Sequence, residues 1–220
     1  MSSFRFSSAL LLLALAVQGC AQQRRAESAS TTAPVGRPLA AMSEQPLILL
    51  PARHLRAGDS LGWASRISNE GDWLANVDSE IAFALSERGA GRRWTLPEEL
   101  ARSARRNAAF APDPSTIAVQ AIRPSGRALP PRVPEPLISQ LRSLIALRDG
   151  VRYALLPVEV RFEPVSGMDG GRAVLNLVLV DVRASEIVWA LDVESEPAAN
   201  LSPALAASLA SRLADLVAAP

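Results

Sequence analysis

Residues 172–183, "RAVLNLVLVDVR", are apolar on both alternating faces. Leu175, Leu177 and Leu179 point one way, and Val174, Val178, Val180 and Val182 the other, which predicts a strand covered on both sides. "RYALLPVEVRF" at 152–162 predicts a second strand, with Asp169-Gly170 as the hairpin signal between the two. In "IVWALDVESE", Ile187, Trp189, Leu191 and Val193 alternate with polar or small residues, predicting a half-covered strand nearer an edge. "LILL" at 47–50, closed by Pro51, reads as a short strand buried on both sides.

Helical spacing appears elsewhere. Leu74, Val77, Ile81 and Leu85 share one face, with Gly89 available as a left-handed cap. Thr95 followed by Glu98 matches a capping box for a helix over 97–107. Asp113-Pro114 predicts a short helix through Ile122, with a strand as the alternative. Pro136 opens a helix carrying Leu137, Leu141, Leu144 and Ile145, and Gly150 ends it. Ser202-Pro203 opens a last helix with Leu205, Leu209, Leu213 and Leu216 on one stripe. Residues 53–72 and the proline-rich 123–136 read as loops. The sum is an α/β chain: a single mixed sheet with a C-terminal three-stranded meander, helices on its faces and a C-terminal helix.

The N-terminus is of another kind. Arg5 supplies positive charge, Ala9 to Val17 is unbroken apolar sequence, and Gly19 is small. That run is too short to span a bilayer, which needs about 20 apolar residues, and reads as an export signal over 1–19. The sole cysteine of the chain, Cys20, follows it. "VQGC" resembles the lipobox of bacterial lipoproteins, although Gln18 is less usual there than Ala or Ser. The resemblance implies cleavage before Cys20, diacylglycerol on its sulfur and acylation, commonly palmitate, of the new amine. Lipid contributes about 0.8 kcal/mol per buried methylene, so two or three chains anchor firmly. Ala21, in place of Asp, favours the outer membrane, with the domain facing the periplasm. Residues 20–46, rich in Ala, Ser, Thr and Pro, read as a disordered tether of about 25–30 Å. The folded domain is expected over 47–220.

Charge narrows the partners. The formal net charge is +1, and all 23 basic residues are arginine. Without Arg5, 22 basic residues face 22 acidic ones, which leaves no excess to favour nucleic acid. His54 is the only histidine, so the usual zinc sets cannot be assembled, and no metal or cofactor is expected. His54 itself reads as a surface residue, and Glu98-Glu99 as dipole partners in a helix's first turn. Asp169 in "GMDGG" reads as a turn residue and not a calcium ligand. No catalytic constellation emerges, and the chain is expected not to be an enzyme. A partner-binding surface is expected at Trp63, which stands in a polar loop, and at Arg102, Arg105 and Arg106 on one side of a helix.

The element order resembles a periplasmic α/β domain found in three groups: curli-secretion lipoproteins, lipoprotein activators of penicillin-binding proteins, and the N-terminal domain of the Tol-system propeller protein. The residues that carry it are "LILLP" at 47–51, "FALSERG" at 83–89 and "LVLVDVRASEIVWA" at 177–190. The resemblance implies a non-catalytic module that binds, scaffolds or activates an envelope partner. The alternative is a self-assembling subunit of an outer-membrane secretion or transport complex, and hence a homo-oligomer. The loops at 53–72 and 123–136 depart from the family pattern and are candidate partner-binding insertions.

Overall fold

The computed structural model describes residues 39–123 and 129–218. The export signal, Cys20 and most of the tether therefore lie outside the described residues. Among the described residues five strands form one mixed sheet in the order β2-β1-β3-β4-β5. They are β1 (Leu47–Leu49), β2 (Trp94–Thr95), β3 (Tyr153–Pro164), β4 (Gly171–Asp181) and β5 (Glu186–Glu194). β1 runs parallel to β2 and β3, and the β3-β4-β5 meander is antiparallel. Among the described residues four α-helices flank the sheet: α1 (Glu70–Glu87), α2 (Pro97–Arg106), α3 (Leu137–Ile145) and α4 (Ala204–Val217).

The two apolar faces of β4 build two cores. Leu175, Leu177 and Leu179 pack with the buried stripes of α1 and α4. Val178, Val180 and Val182 pack with Leu100 of α2 and Leu137, Leu141 and Leu144 of α3. The α/β architecture expected from the patterning is thus the one formed. The "DVRAS" turn is set by Asp181, whose Oδ1 accepts the N–H groups of Arg183 and Ala184. Arg152 pairs with the other carboxylate oxygen. Its hydrogen bond holds the Asp181 carboxyl below the ordinary aspartate range. At the other hairpin, a side chain on Gly170 would collide with the Ala198 backbone, and its φ is +156°.

Several local expectations are corrected. Thr95 forms no capping box: its side chain is buried, and its hydroxyl oxygen accepts from Arg148 Nε at 3.0 Å. Leu96 is the N-cap of α2 instead, without a side-chain bond. Residues 114–122 form two 3-10 turns, Pro114–Thr116 and Val119–Ile122. The last residues assigned to the tether belong to the domain. Leu39 is fully buried, Ala40–Met42 is a 3-10 turn, and the Met42 carbonyl accepts from Trp94 Nε1.

The 53–72 segment is folded down rather than free. Asp59 Oδ1 accepts the N–H groups of Leu61 and Trp63, and Oδ2 accepts that of Ala64. Glu70 accepts the N–H of Leu55. The closed loop inserts Trp63 edge-on against Phe162, with ring centres 5.6 Å apart, and Trp73 meets the same ring at 5.5 Å.

Two ion-paired recesses as the candidate functional site

Trp63 is 3% exposed, so the expected surface tryptophan is a core residue. A polar sequence around it was a misleading cue, because Asp59 satisfies the backbone and lets the ring turn inward. Arg102, Arg105 and Arg106 do lie exposed on α2. They are not equivalent. Arg102 donates to Glu98 Oε1 at 2.7 Å, Arg106 reaches the Ser103 hydroxyl at 3.3 Å, and Arg105 approaches Asp113 only as a nearby charge.

Of the three arginines, Arg102 lines a groove of about 530 Å³ between α1 and α2, just past the C-terminal end of β1. That end of parallel strands is where open α/β sheets commonly present ligands. Ala75, Asp78, Ser79 and Ala82 form the α1 wall, and Pro97, Glu98 and Ala101 face them from α2. Helical geometry explains the wall, since 75, 78, 79 and 82 are spaced by three and four residues.

Asp78 is the chemically distinct member. Its Oδ1 accepts the Ala52 N–H at 2.9 Å. Burial raises the carboxyl to about 7, against the opposing pull of that N–H and of Arg53. It therefore holds a proton near neutral pH and can offer a partner either a donor or an anion. Across the groove Asp113 is pushed down, chiefly by the Ser115 N–H and then by the Ser115 side chain. Glu99 is engaged by Arg148.

Arg53 also lines a second recess of about 230 Å³, with His54, Ser115, Thr116, Ile117, Val119, Gln120 and Arg123. Behind it sits Glu159, whose side chain is fully buried. Arg123 donates to Glu159 Oε2 from Nη2 at 2.6 Å and from Nε at 3.2 Å. Arg56 pairs with Oε1, and His54 Nε2 lies 3.7 Å from Oε2. A break in the β3–β4 register between Pro157 and Glu159 places this acid. Pro157 pairs with Leu177 and Glu159 with Asn176, so Val158 is the extra residue. Val158 and Glu159 consequently face the same core, the one that holds α2 and α3.

His54 corrects the surface reading. Its Nε2 is buried without a hydrogen bond, whereas Glu159 Oε1 is met by Arg56 as an ion pair. Burial first, and then the Arg123 charge, lowers the imidazole below its ordinary value, while Glu159 and Glu70 pull the other way. Asp78, Arg53, Arg56, Arg123 and Glu159 were not singled out by sequence as candidate site residues. The one available signal was an acid inside "LLPVEVRF", next to a proline that interrupts strand pairing.

Among the described residues no helix is long and apolar enough to cross a membrane, and no group of three or more His, Cys, Asp or Glu side chains could hold a metal ion. No family model matches the chain, and no curated protein matches it. Among solved structures it is similar to the PelC dodecamer from Paraburkholderia phytofirmans, at TM-score 0.37 and 13% identity, over 84% of this chain and 94% of that one. A single-substitution variant of the same dodecamer gives TM-score 0.34 and 11% identity, over 83% and 94%. These likenesses are too loose to assign this chain an activity, a partner or an assembly.

Proposed function

We propose that this chain is a lipid-anchored, non-catalytic protein of the bacterial envelope, held to the outer membrane through Cys20 and binding a protein partner in the periplasm. The observation that carries the binding role is the α1–α2 groove. Its charged side chains are largely matched in place, Arg102 with Glu98 and Glu99 with Arg148, while the Arg53 charge acts on both Asp78 and Asp113. A matched, preformed trough suits an extended protein segment, because little has to be reordered when it docks. The lipobox-like "VQGC" and the resemblance to periplasmic lipoprotein domains support the anchor and the compartment.

Two tests follow. Cys20→Ser will leave the protein unprocessed or free of the membrane fraction, and normal processing with membrane retention would refute the anchor. The binding role is tested by in-cell crosslinking and pull-down of the full chain, with mass spectrometry of the captured chains. One dominant envelope protein is expected. Ala75→Trp, at the exposed lip of the groove, combined with Arg102→Ala, should reduce its capture about tenfold or more, which corresponds to about 1.4 kcal/mol. Undiminished capture would move the site off the groove. Capture of the chain's own copies alone would replace this reading with self-assembly. The outer edge of β5 past Ile187, unpaired among the described residues, is then the first place to look, since the 131–133 segment covers only its start.

A further inference from the structure

The recess over Glu159 has a feature that fold stability does not explain. Arg56, Arg123 and His54 converge on one buried carboxylate, yet the cluster leaves polar atoms unused. His54 Nε2 is buried without a hydrogen bond. Arg123 commits Nε and Nη2 to Glu159, leaving Nη1 without a partner among the described residues. Arg56, 43% exposed, commits Nη2 alone. The recess is lined by Arg53, Arg123 and His54 and by the polar residues Ser115, Thr116 and Gln120, with no carboxylate on its wall among the described residues.

Charge completes the picture. The charges acting on His54 are Arg123 and Arg56 against Glu159 and Glu70; of the outer groups, Arg53 on the recess wall is near both Asp78 and Asp113, and Asp192 is near Arg56. The two cations and two anions that act on His54 balance only while the imidazole is neutral. A proton on His54 gives the cluster one positive charge in excess, and brings Nε2–H to bear on Glu159 as a charged donor. One anion restores the balance. Guanidinium groups held in place by a buried carboxylate present fixed donors, which favour planar or tetrahedral oxyanions over chloride. A recess of about 230 Å³ has room for such a group.

We propose that this recess is an oxyanion-binding site, taking a carboxylate or phosphate group of a ligand, and that the anion enters together with a proton on His54. The site is separate from the groove proposed for the partner, sharing only its Arg53 and Ser115 walls. Binding is therefore stronger at pH 5.5 than at pH 8. The ligand raises the His54 midpoint by stabilising the imidazolium, as a nearby anion must.

Because His54 is the only histidine, its ring resonances report the site without ambiguity. The experiment titrates isotope-labelled His54 by NMR in the full chain in detergent, in sodium sulfate and in sodium chloride at equal ionic strength. Sulfate keeps its charge across this pH range. The midpoint is expected to rise by about half a pH unit or more in sulfate, saturably. Arg123→Gln should abolish that rise, and Arg212→Gln, on the remote α4, should leave it intact. If Arg123→Gln fails to fold, Arg53→Gln at the exposed rim makes the same comparison and should weaken the response. Competition by acetate and by methyl phosphate then tells which oxyanion the site prefers. Equal midpoints in sulfate and chloride, or a rise that survives both arginine substitutions, would overturn the proposal.

Discussion

Glu159→Ala will lower folding stability by about 3–5 kcal/mol, the usual cost of removing one partner from a buried ion pair. The side chain is wholly enclosed, and the groups it neutralises are not: Arg56 is 43% exposed, Arg123 31% and His54 33%. Partial rehydration of the guanidiniums moves the expected loss toward the lower end of the range. The cavity and the unpaired charges both contribute, and two further variants separate them. Glu159→Gln keeps the volume and loses the charge, so it isolates the electrostatic part. Glu159→Met with Arg123→Met removes a charge of each sign, and should recover much of the loss, because matched apolar replacements of buried pairs are often neutral. Urea unfolding at pH 7 measures all three, with an unchanged denaturant slope as the sign that the denatured state is the same. A loss under about 1 kcal/mol for Glu159→Ala would mean that the carboxylate is hydrated and that the enclosed cluster does not exist in solution.

The frame around that cluster was readable in the sequence, and the cluster was not. The two-faced run in β4, the alternation in β5 and the stripes of α1 and α4 all depend on neighbours within a few residues. Periodicity therefore reports them faithfully. Glu159 depends on a bulge and on three side chains 36 to 105 residues away, His54, Arg56 and Arg123, and no local pattern encodes their meeting. Trp63 shows the opposite failure. Its neighbours are polar and glycine-rich, as in an exposed loop, but Asp59 consumes the backbone donors and the ring goes to Phe162. Thr95 and Glu98 matched a capping box by spacing, while the fold uses the Thr95 hydroxyl to receive Arg148 from beyond α3. Local chemistry proposes such roles, and long-range partners reassign them.

Asp78→Asn will stabilise the protein above pH 7 and leave it unchanged near pH 4. The carboxyl is raised from 3.8 to about 7 by burial. A folded-state value above the unfolded one means that the protonated form is favoured by the fold. Its contribution is complete below about pH 4 and is lost as pH rises through about 7. By pH 8 the native state must hold a carboxylate in the α1–α2 groove. A rise of about 3 units at 1.36 kcal/mol each sets an upper limit of about 4 kcal/mol. The groove leaves the group some access to water, so about 2–3 kcal/mol is the working expectation. Asparagine keeps an oxygen for the Ala52 N–H and carries no charge. For a domain of this size the gain corresponds to roughly 5–10 °C in Tm at pH 8, shrinking to nothing by pH 4. Thermal scans of both proteins from pH 4 to pH 8.5 test it. Parallel curves would show that Asp78 ionises normally. Convergent curves would give the groove a group that sheds its proton near neutrality, and a partner offering a basic side chain there would displace that proton on docking. Capture of such a partner should then weaken as pH falls from 8 to 6 in the wild-type protein, and the Asp78→Asn variant should lose that dependence.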